Sequence, residues 1–253
     1  MSNATFNRSW DKRHGAILTA ILQQLEKENI RNFIIRNYEG LPDKNKSKDV
    51  DIIVEPGKIQ QAIRILKTVY KKNGLMYFYK VQFEHGHLCY GMNIDSNISI
   101  HIDFMEGYFT GGSQLFSFDE LYSQTEFYNE LRILNEFYTG VMVFIYKQFG
   151  HKTPKIKQEY RNIIYNTYKT YPDFKRIIAN MAGETIANKI FEAINEKDFD
   201  KMLSYSGKLT TQLHKYALKK SLLQTLKFRI IFYFQKIDRI ILQAANILNH
   251  LLC

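Results

Sequence analysis

The spacing of apolar residues in the first half of the chain alternates between the helical and the strand period. Two stretches repeat apolar residues every three or four positions, as one face of a helix does, at Ile17, Leu18, Ile21, Leu22 and Leu25 and again at Ile59, Ala62, Ile63, Leu66 and Val69. Shorter apolar or alternating runs predict strands near residues 33–35, 50–54, 75–83, 88–94 and 98–105. This order of elements predicts an α+β fold in which a mixed sheet packs with helices.

The second half of the chain has a helical pattern throughout. From Glu136 onward the apolar residues keep helical spacing, and the stretch from 209 to 252 is typical of one long or two shorter amphipathic helices. Pro172 punctuates these helices, and Asp173 and Asp198 are predicted N-caps. We therefore predict two domains, an α+β domain over residues 1–135 and an all-α domain over residues 136–253.

Charge is distributed unevenly between these two parts. The chain has a formal net charge of +10. Residues 136–253 hold 19 Lys and Arg against 9 Asp and Glu, so the whole excess lies in the helical part, and residues 208–253 alone hold 8 against 1. Such a field favours an anionic membrane surface or an acidic partner. Specific nucleic-acid binding is not favoured, because the charges are spread and no reading motif occurs. The alternative for these last helices is packing on the chain's own core with Lys and Arg in water.

Several classes of protein do not fit the composition. The first 18 residues carry charges and lack the uninterrupted apolar segment of a signal peptide, and Lys or Arg interrupts every long apolar stretch. The two cysteines, Cys89 and Cys253, do not make a disulfide framework. We expect a cytoplasmic protein.

Three aspartates carry the chemistry that the pattern predicts. Asp49 and Asp51 alternate with Val50 and Ile52, so both carboxylates leave one face of a strand whose other face enters the core. In the strand at residues 98–105 the isoleucines alternate with polar residues, which places Asp103 on the polar face. Two or three carboxylates at one point supply the hard oxygen ligands that Mg²⁺ or Mn²⁺ prefers. The sequence therefore predicts a divalent-metal site at Asp49, Asp51 and Asp103.

The stretch Phe33-Ile34-Ile35-Arg36-Asn37-Tyr38-Glu39-Gly40-Leu41-Pro42, followed by Asp49-Val50-Asp51-Ile52-Ile53-Val54 and by Ile102-Asp103-Phe104, resembles the nucleotidyltransferase superfamily. More narrowly, it is similar to bacterial nucleotidyltransferase-like proteins associated with surface-polysaccharide genes. The resemblance covers about residues 15–110. It implies a nucleotidyltransferase-like mixed sheet, and an enzyme that uses two Mg²⁺ or Mn²⁺ ions to move a nucleoside monophosphate from a nucleoside triphosphate to a hydroxyl acceptor. It also implies that Asp49, Asp51 and Asp103 are both the metal ligands and the catalytic residues.

One departure from the superfamily leaves two functions open. Where the superfamily has a glycine-serine pair beside the triphosphate, this chain has Arg36-Asn37. Arg36, Asn37 and Lys48 are candidate nucleotide-binding residues, because a guanidinium and an ammonium can replace that cradle. The alternatives are a structural salt bridge from Arg36 to Asp49 or Glu39, and a catalytically inactive protein that binds a nucleotide or serves as a scaffold.

Two further motifs have structural and functional interpretations. His85, His87 and Cys89 alternate onto one side of a predicted strand and suggest zinc, but the sequence offers no evident fourth ligand. His101 lies on the polar face beside Asp103, where either a structural hydrogen bond or contact with a ligand is consistent with the pattern.

Overall fold

The computed structural model describes residues 10–45, 47, 49–81, 86–110, 113–148, 156–223, 226 and 230, with only the backbone described at 79–81, 108–110 and 148. The chain forms two compact units, one of residues 1–108 and 116–135 and the other of residues 109–115 and 136–253. The elements of the first unit are α1 Lys12–Lys27, β1 Asn32–Ile34, β2 Val50–Val54, α2 Ile59–Lys72, β3 Met76–Val81, β4 Gly86–Asn93, β5 Ile98–Glu106, α3 Phe118–Tyr122, β8 Thr125–Tyr128 and β9 Leu131–Leu134. The short strands β6 Tyr108–Thr110 and β7 Ser113–Phe116 pair as a separate ribbon.

A seven-stranded mixed sheet with the order β3-β4-β5-β2-β1-β9-β8 is the framework of the first unit. Strands β2 and β5 are parallel, as are β1 and β9, and the other neighbours are antiparallel. One face carries the core against α1 and α2, with contributions from Ile52, Val54, Ile100, Ile102 and Phe104. The predicted mixed sheet with helices is confirmed.

The opposite face of the sheet is partly covered by a segment for which the sequence suggested no element. Phe33 in β1 is fully buried and its ring lies 5.9 Å from that of Phe118 and 6.4 Å from that of Tyr122, both in α3. Residues 108–135 therefore provide three short strands, a one-turn helix and β9, which extends the sheet beyond β1. Their runs of three to five residues are too short for a periodic pattern to identify them.

The second unit contains the helices α4 Glu136–Gln148, α5 Gln158–Thr170, α6 Pro172–Ala182, α7 Glu184–Asn195, α8 Phe199–Ser204 and α9 Ser206–Lys220. Helices α4 and α5 pack closely, because Gly140 brings the α4 backbone against Thr167. Segment 109–115 contacts α9, since Ser113 Oγ lies 2.5 Å from His214 Nδ1 and Lys220 Nζ donates to Leu115 O at 3.0 Å. The predicted helical C-terminal region is confirmed as far as α9, and the remainder of the 209–252 prediction lies mostly outside the described residues.

Two helix starts in the second unit were predicted from their acidic residues. Asp198 is the N-cap of α8 and accepts a hydrogen bond from Lys201 N at 2.8 Å, as predicted. Asp173 is not an N-cap. Tyr171 occupies that position and Pro172 is the first residue of α6, because proline's fixed φ suits the first helical position, so Asp173 lies inside the first turn. Within the described residues, no helix is long and apolar enough to cross a membrane.

Candidate metal and nucleotide site

The three predicted aspartates meet at the start of β2 and in the middle of β5. Asp51 and Asp103 are direct partners in the parallel pairing of these strands, and Asp49 immediately precedes β2. Val50, Ile52, Ile102 and Phe104 point into the helix-covered core, so the alternate positions carry the carboxylates to the other face. One carboxylate oxygen from each aspartate lies within 4.8 Å of the other two. The sheet register thus brings together residues that are 52 positions apart in the sequence.

The carboxylates are less open to water than a polar sheet face would suggest. The alternation of the strands placed these aspartates on the polar face, yet Asp51 is buried and the side chain of Asp103 is only 14% exposed. Burial raises the pKa of Asp51 above its ordinary value, against the opposing effect of the nearby Arg36 charge. Burial also raises the pKa of Asp103, although the His101 contact lowers it. Mutual repulsion among the three carboxylates adds to both upward shifts, so the cluster is costly to keep ionised without a cation.

Each aspartate has a polar neighbour that orients it. Ser47 Oγ donates to Asp49 Oδ1 at 2.7 Å, and Arg36 Nε donates to Asp51 Oδ2 at 2.7 Å. His101 Nε2 lies 2.6 Å from Asp103 Oδ1, but the contact does not meet the geometry of a hydrogen bond. Asp103 Oδ1 is consequently a buried acceptor that lacks a hydrogen-bond partner among the described residues. A buried, poorly satisfied carboxylate oxygen is costly unless a ligand completes it.

These residues fit a divalent cation. All three ligands are carboxylates, and hard oxygen donors suit Mg²⁺ or Mn²⁺. Separations of up to 4.8 Å leave room for an ion between the oxygens, and Asp103, which has the unsatisfied Oδ1, is one of the three residues. The arrangement can therefore hold a divalent metal, and no ion identity follows from the geometry.

The loop between β1 and β2 presents the candidate nucleotide-binding residues. Arg36 and Asn37 follow β1 after Ile35, and Arg36 contacts Asp51 of the cluster. Asn37 has φ of 57°, a left-handed turn that asparagine tolerates better than most residues. The loop is held against the start of α1. Trp10, two residues before the helix, donates from Nε1 to Pro42 O at 2.7 Å, and Gly15 in the helix leaves space for the same carbonyl. Lys48, the third predicted residue, lies outside the described residues. Arg36 forms a salt bridge, as one alternative predicted, but its partner is Asp51 and not Asp49 or Glu39.

The zinc alternative is not supported by the part of the chain that the structure describes. Cys89 is fully buried among apolar side chains on the helix-covered face, and burial raises the pKa of its thiol to about 11. A protonated thiol is a poor zinc ligand. Among the described residues, the aspartates are the one group with metal-ligand spacing, and His85 lies outside them.

Two neighbours of the site were not identified from the sequence. Ser47 orients Asp49, and its position two residues before the aspartate was the available signal. Tyr90 in β4 pairs with His101, and their rings stack with centroids 4.0 Å apart and an interplanar angle of 20°. The Tyr90–His101 contact depends on how the residues of β4 and β5 are paired, and a single sequence does not reveal that pairing.

Comparison with known proteins yields structural likenesses of low identity. No protein-family model matches the chain, and no curated protein matches its sequence significantly. The Helicobacter pylori protein JHP933 superposes with a TM-score of 0.41 and 9% identity, over 92% of this chain and 97% of that one. A candidate nucleotidyltransferase from H. pylori superposes with a TM-score of 0.42 and 9% identity, over 88% of this chain and 96% of that one. Because both scores are below 0.5, we draw no functional conclusion from either likeness.

Proposed function

We propose that the protein is a metal-dependent nucleotidyltransferase that transfers a nucleoside monophosphate from a nucleoside triphosphate to a hydroxyl acceptor. The observation that carries the proposal is the cluster of Asp49, Asp51 and Asp103, whose ligand oxygens lie within 4.8 Å of one another. Enzymes of this class need two divalent cations at one point, and such a cluster is what holds them. The sequence resemblance to the nucleotidyltransferase superfamily includes the same three residues. By that resemblance alone, surface-polysaccharide metabolism is the expected setting.

Each aspartate has a distinct role in the proposed reaction. When bound, the cations supply a lowered pKa for the acceptor hydroxyl and neutralise charge on the departing pyrophosphate. Asp49 and Asp51 would hold the cations from the start of β2. Asp103 would hold one of them from β5, and its carboxylate would take the proton of the acceptor hydroxyl.

Arg36 would contact the triphosphate in place of the missing glycine-serine pair. Its guanidinium bonds Asp51 at 2.7 Å, and its side chain is 22% exposed, so it is partly open to solvent. Arg36 would contact the β- and γ-phosphates through its guanidinium, and Asp51 would hold a cation with its carboxylate. Asn37 and Lys48 stay candidate ligands of the same phosphates.

The Arg36–Asp51 salt bridge also favours a second candidate function. A guanidinium that already neutralises a metal-ligand carboxylate is what an inactive nucleotidyltransferase-fold protein needs to keep its site stable without metal. Such a protein binds a nucleotide or a partner and transfers nothing. Pyrophosphate release separates the two functions.

The test is a screen for pyrophosphate release from the four ribonucleoside triphosphates with Mg²⁺ or Mn²⁺, with water and with hydroxyl compounds as acceptors. We expect release from at least one triphosphate, and Asp103→Asn should reduce it at least about a hundredfold, because loss of a general base costs on that order. Asp95→Asn, at an exposed turn of the same unit, is the matched control and should match the parent. Metal-dependent nucleotide binding that never yields pyrophosphate would instead establish the inactive scaffold.

The partners and the location expected from the sequence remain predictions. The basic helices that follow residue 208 are predicted to contact an anionic membrane surface or an acidic partner, or else to pack on the chain's own core. Co-sedimentation with vesicles that contain anionic lipid at low salt distinguishes these alternatives. The cytoplasmic location expected from the sequence likewise stays a prediction.

A further inference from the structure

A row of three aromatic rings crosses the sheet beside the carboxylate cluster. Phe78 in β3 is paired with Tyr90 in β4, and Tyr90 is paired with His101 in β5. Residues directly opposite one another in neighbouring strands point to the same face, and His101 shares its face with Asp103, two positions further along β5. The row therefore lies on the carboxylate face. It runs from His101, whose Nε2 is 2.6 Å from Asp103 Oδ1, outward to Phe78 two strands away.

This part of the carboxylate face is apolar but exposed. Phe78 is 48% exposed, and Met76, next along the same face of β3, is 50% exposed. The opposite face of the same strands is closed by the helices, with Cys89 and Ile100 buried in the core. Phe78 and Met76 therefore expose two large apolar side chains on one face of β3, which a bound ring would cover.

Two rings of the row pack closely together next to the carboxylates. Tyr90 stacks on His101 at a centroid distance of 4.0 Å, and His101 in turn contacts Asp103 Oδ1 at 2.6 Å. The rings thus continue from the half-exposed Phe78 to the carboxylate that the proposed reaction uses as its base. A ring-shaped ligand stacked on Phe78 and Tyr90 would place its substituents towards Asp103.

We propose that this row, Phe78, Tyr90 and His101, binds the acceptor, and that the acceptor carries its reactive hydroxyl on a compound with a flat ring face. The inference rests on the proposed function. In phosphoryl-type transfer the attacking and leaving oxygens lie in line on opposite sides of phosphorus. Arg36 lies on the β1 side of the carboxylates and attracts the departing pyrophosphate. The acceptor therefore approaches from the other side, where β5, β4 and β3 carry the row.

The chemistry of the row selects the acceptor class. Phenyl, phenol and imidazole rings bind flat faces by stacking, as in base–aromatic contacts and in contacts with the apolar face of a pyranose. The two sources of such a face are a sugar and a nucleoside. Neither Phe78 nor Met76 offers a hydrogen-bonding group, so the ring face is recognised here and the hydroxyl is positioned at Asp103.

The experiment measures binding of two probe sets to the full chain by saturation-transfer NMR, with methyl pyranosides in one set and the four ribonucleosides in the other. Both sets are measured with and without Mg²⁺ and a non-hydrolysable nucleoside triphosphate. We expect one set to bind and to stay bound when the triphosphate is present, because acceptor and donor occupy the site together. Phe78→Ala should weaken that binding about tenfold, the order of one lost stacking contact. Phe78→Trp, which keeps a ring, should restore it.

Phe127→Ala is the matched control, because Phe127 is 68% exposed on β8 at the other edge of the sheet, and it should bind the probes as the parent does. The inference is overturned if no probe binding depends on Phe78. It is also overturned if the triphosphate displaces the probe, or if Phe78→Ala weakens binding of the triphosphate. Either result would mean that the row binds the base of the donor. If the parent protein binds no triphosphate with Mg²⁺, the proposed function is refuted. Any binding of the probes to the row in that case has no connection with an acceptor.

Discussion

Replacing Arg36 with alanine tests whether its salt bridge with Asp51 is a structural element of the site. The Asp51 side chain is 7% exposed and accepts from Arg36 Nε at 2.7 Å, so the substitution leaves a buried carboxylate without its positive partner. Removing one member of a buried ion pair typically costs about 3–5 kcal/mol. Because Arg36 itself is 22% exposed, water reaches the vacated space, and we expect a smaller loss of about 2–3 kcal/mol in the free energy of unfolding.

Urea denaturation followed by tryptophan fluorescence measures this loss in the relevant unit. The chain has one tryptophan, Trp10, which belongs to the first unit and hydrogen-bonds Pro42 there. Arg13→Ala is the matched control, since the Arg13–Asp11 pair has the same 2.7 Å separation but side chains that are 56% and 38% exposed. Exposed pairs contribute about 0–1 kcal/mol, and the control should fall in that range.

A second substitution shows whether the unpaired carboxylate is the cause. In an Asp51→Asn background, Arg36→Ala should cost under about 1 kcal/mol, because no buried charge is left behind. Loss of the Arg36 charge also raises the pKa of Asp51 further. In the protein that keeps Asp51, lowering the pH therefore protonates this carboxylate and should reduce the stability lost on Arg36→Ala. An equal cost with and without Asp51, or a cost no larger than that of Arg13→Ala, would refute this account of the pair.

Two further predictions concern packing and pH. A Cβ at Gly140 would clash with the Thr167 side chain, so Gly140→Ala should lower the free energy of unfolding by about 1–3 kcal/mol, as overpacking does. Gly207 in α9 has open space around it, so Gly207→Ala is the control and should be neutral or stabilising. Urea denaturation followed by circular dichroism of the helices measures both. Burial raises the pKa of Asp103, so the folded state binds its proton more tightly than the unfolded state. The ionised carboxylate therefore costs stability at neutral pH and the cost fades as pH falls through the raised pKa. Asp103→Asn should accordingly melt above the metal-free parent at pH 7, with the difference shrinking towards pH 4, and a difference that grows on acidification would contradict this.

Much of the fold follows from periodicity, because long amphipathic helices and alternating strands leave a clear pattern. The strand from Ile98 to Glu106 shows this, since its isoleucines face the core and Asp103 emerges on the polar side, as its alternation predicts. The short elements between residues 108 and 135 left no such pattern, and β9 nevertheless joins the main sheet beside β1. Three- and four-residue strands are determined by their partners and not by their own sequence.

The carboxylate cluster was predictable for its members but not for its environment. Alternation put Asp49, Asp51 and Asp103 on polar faces, and the parallel pairing of β2 and β5 brought them together. Burial of Asp51, its pairing with Arg36 and the ring row that ends at His101 all depend on strand register and on residues distant in the chain. A single sequence carries no direct record of those contacts.

The most direct test of the central claim is the stabilisation of the protein by a nucleoside triphosphate together with Mg²⁺ or Mn²⁺. Ligand that binds only the folded state adds about 2.7 kcal/mol at a concentration a hundredfold above its Kd, which is readily seen as a rise in Tm. We predict this rise for at least one triphosphate with metal, a smaller rise for either component alone, and its loss in Asp49→Asn and in Asp51→Asn, both of which stay folded. A Tm that no triphosphate moves, or a rise that survives the loss of both aspartates, would contradict the assignment of this cluster as the metal–nucleotide site.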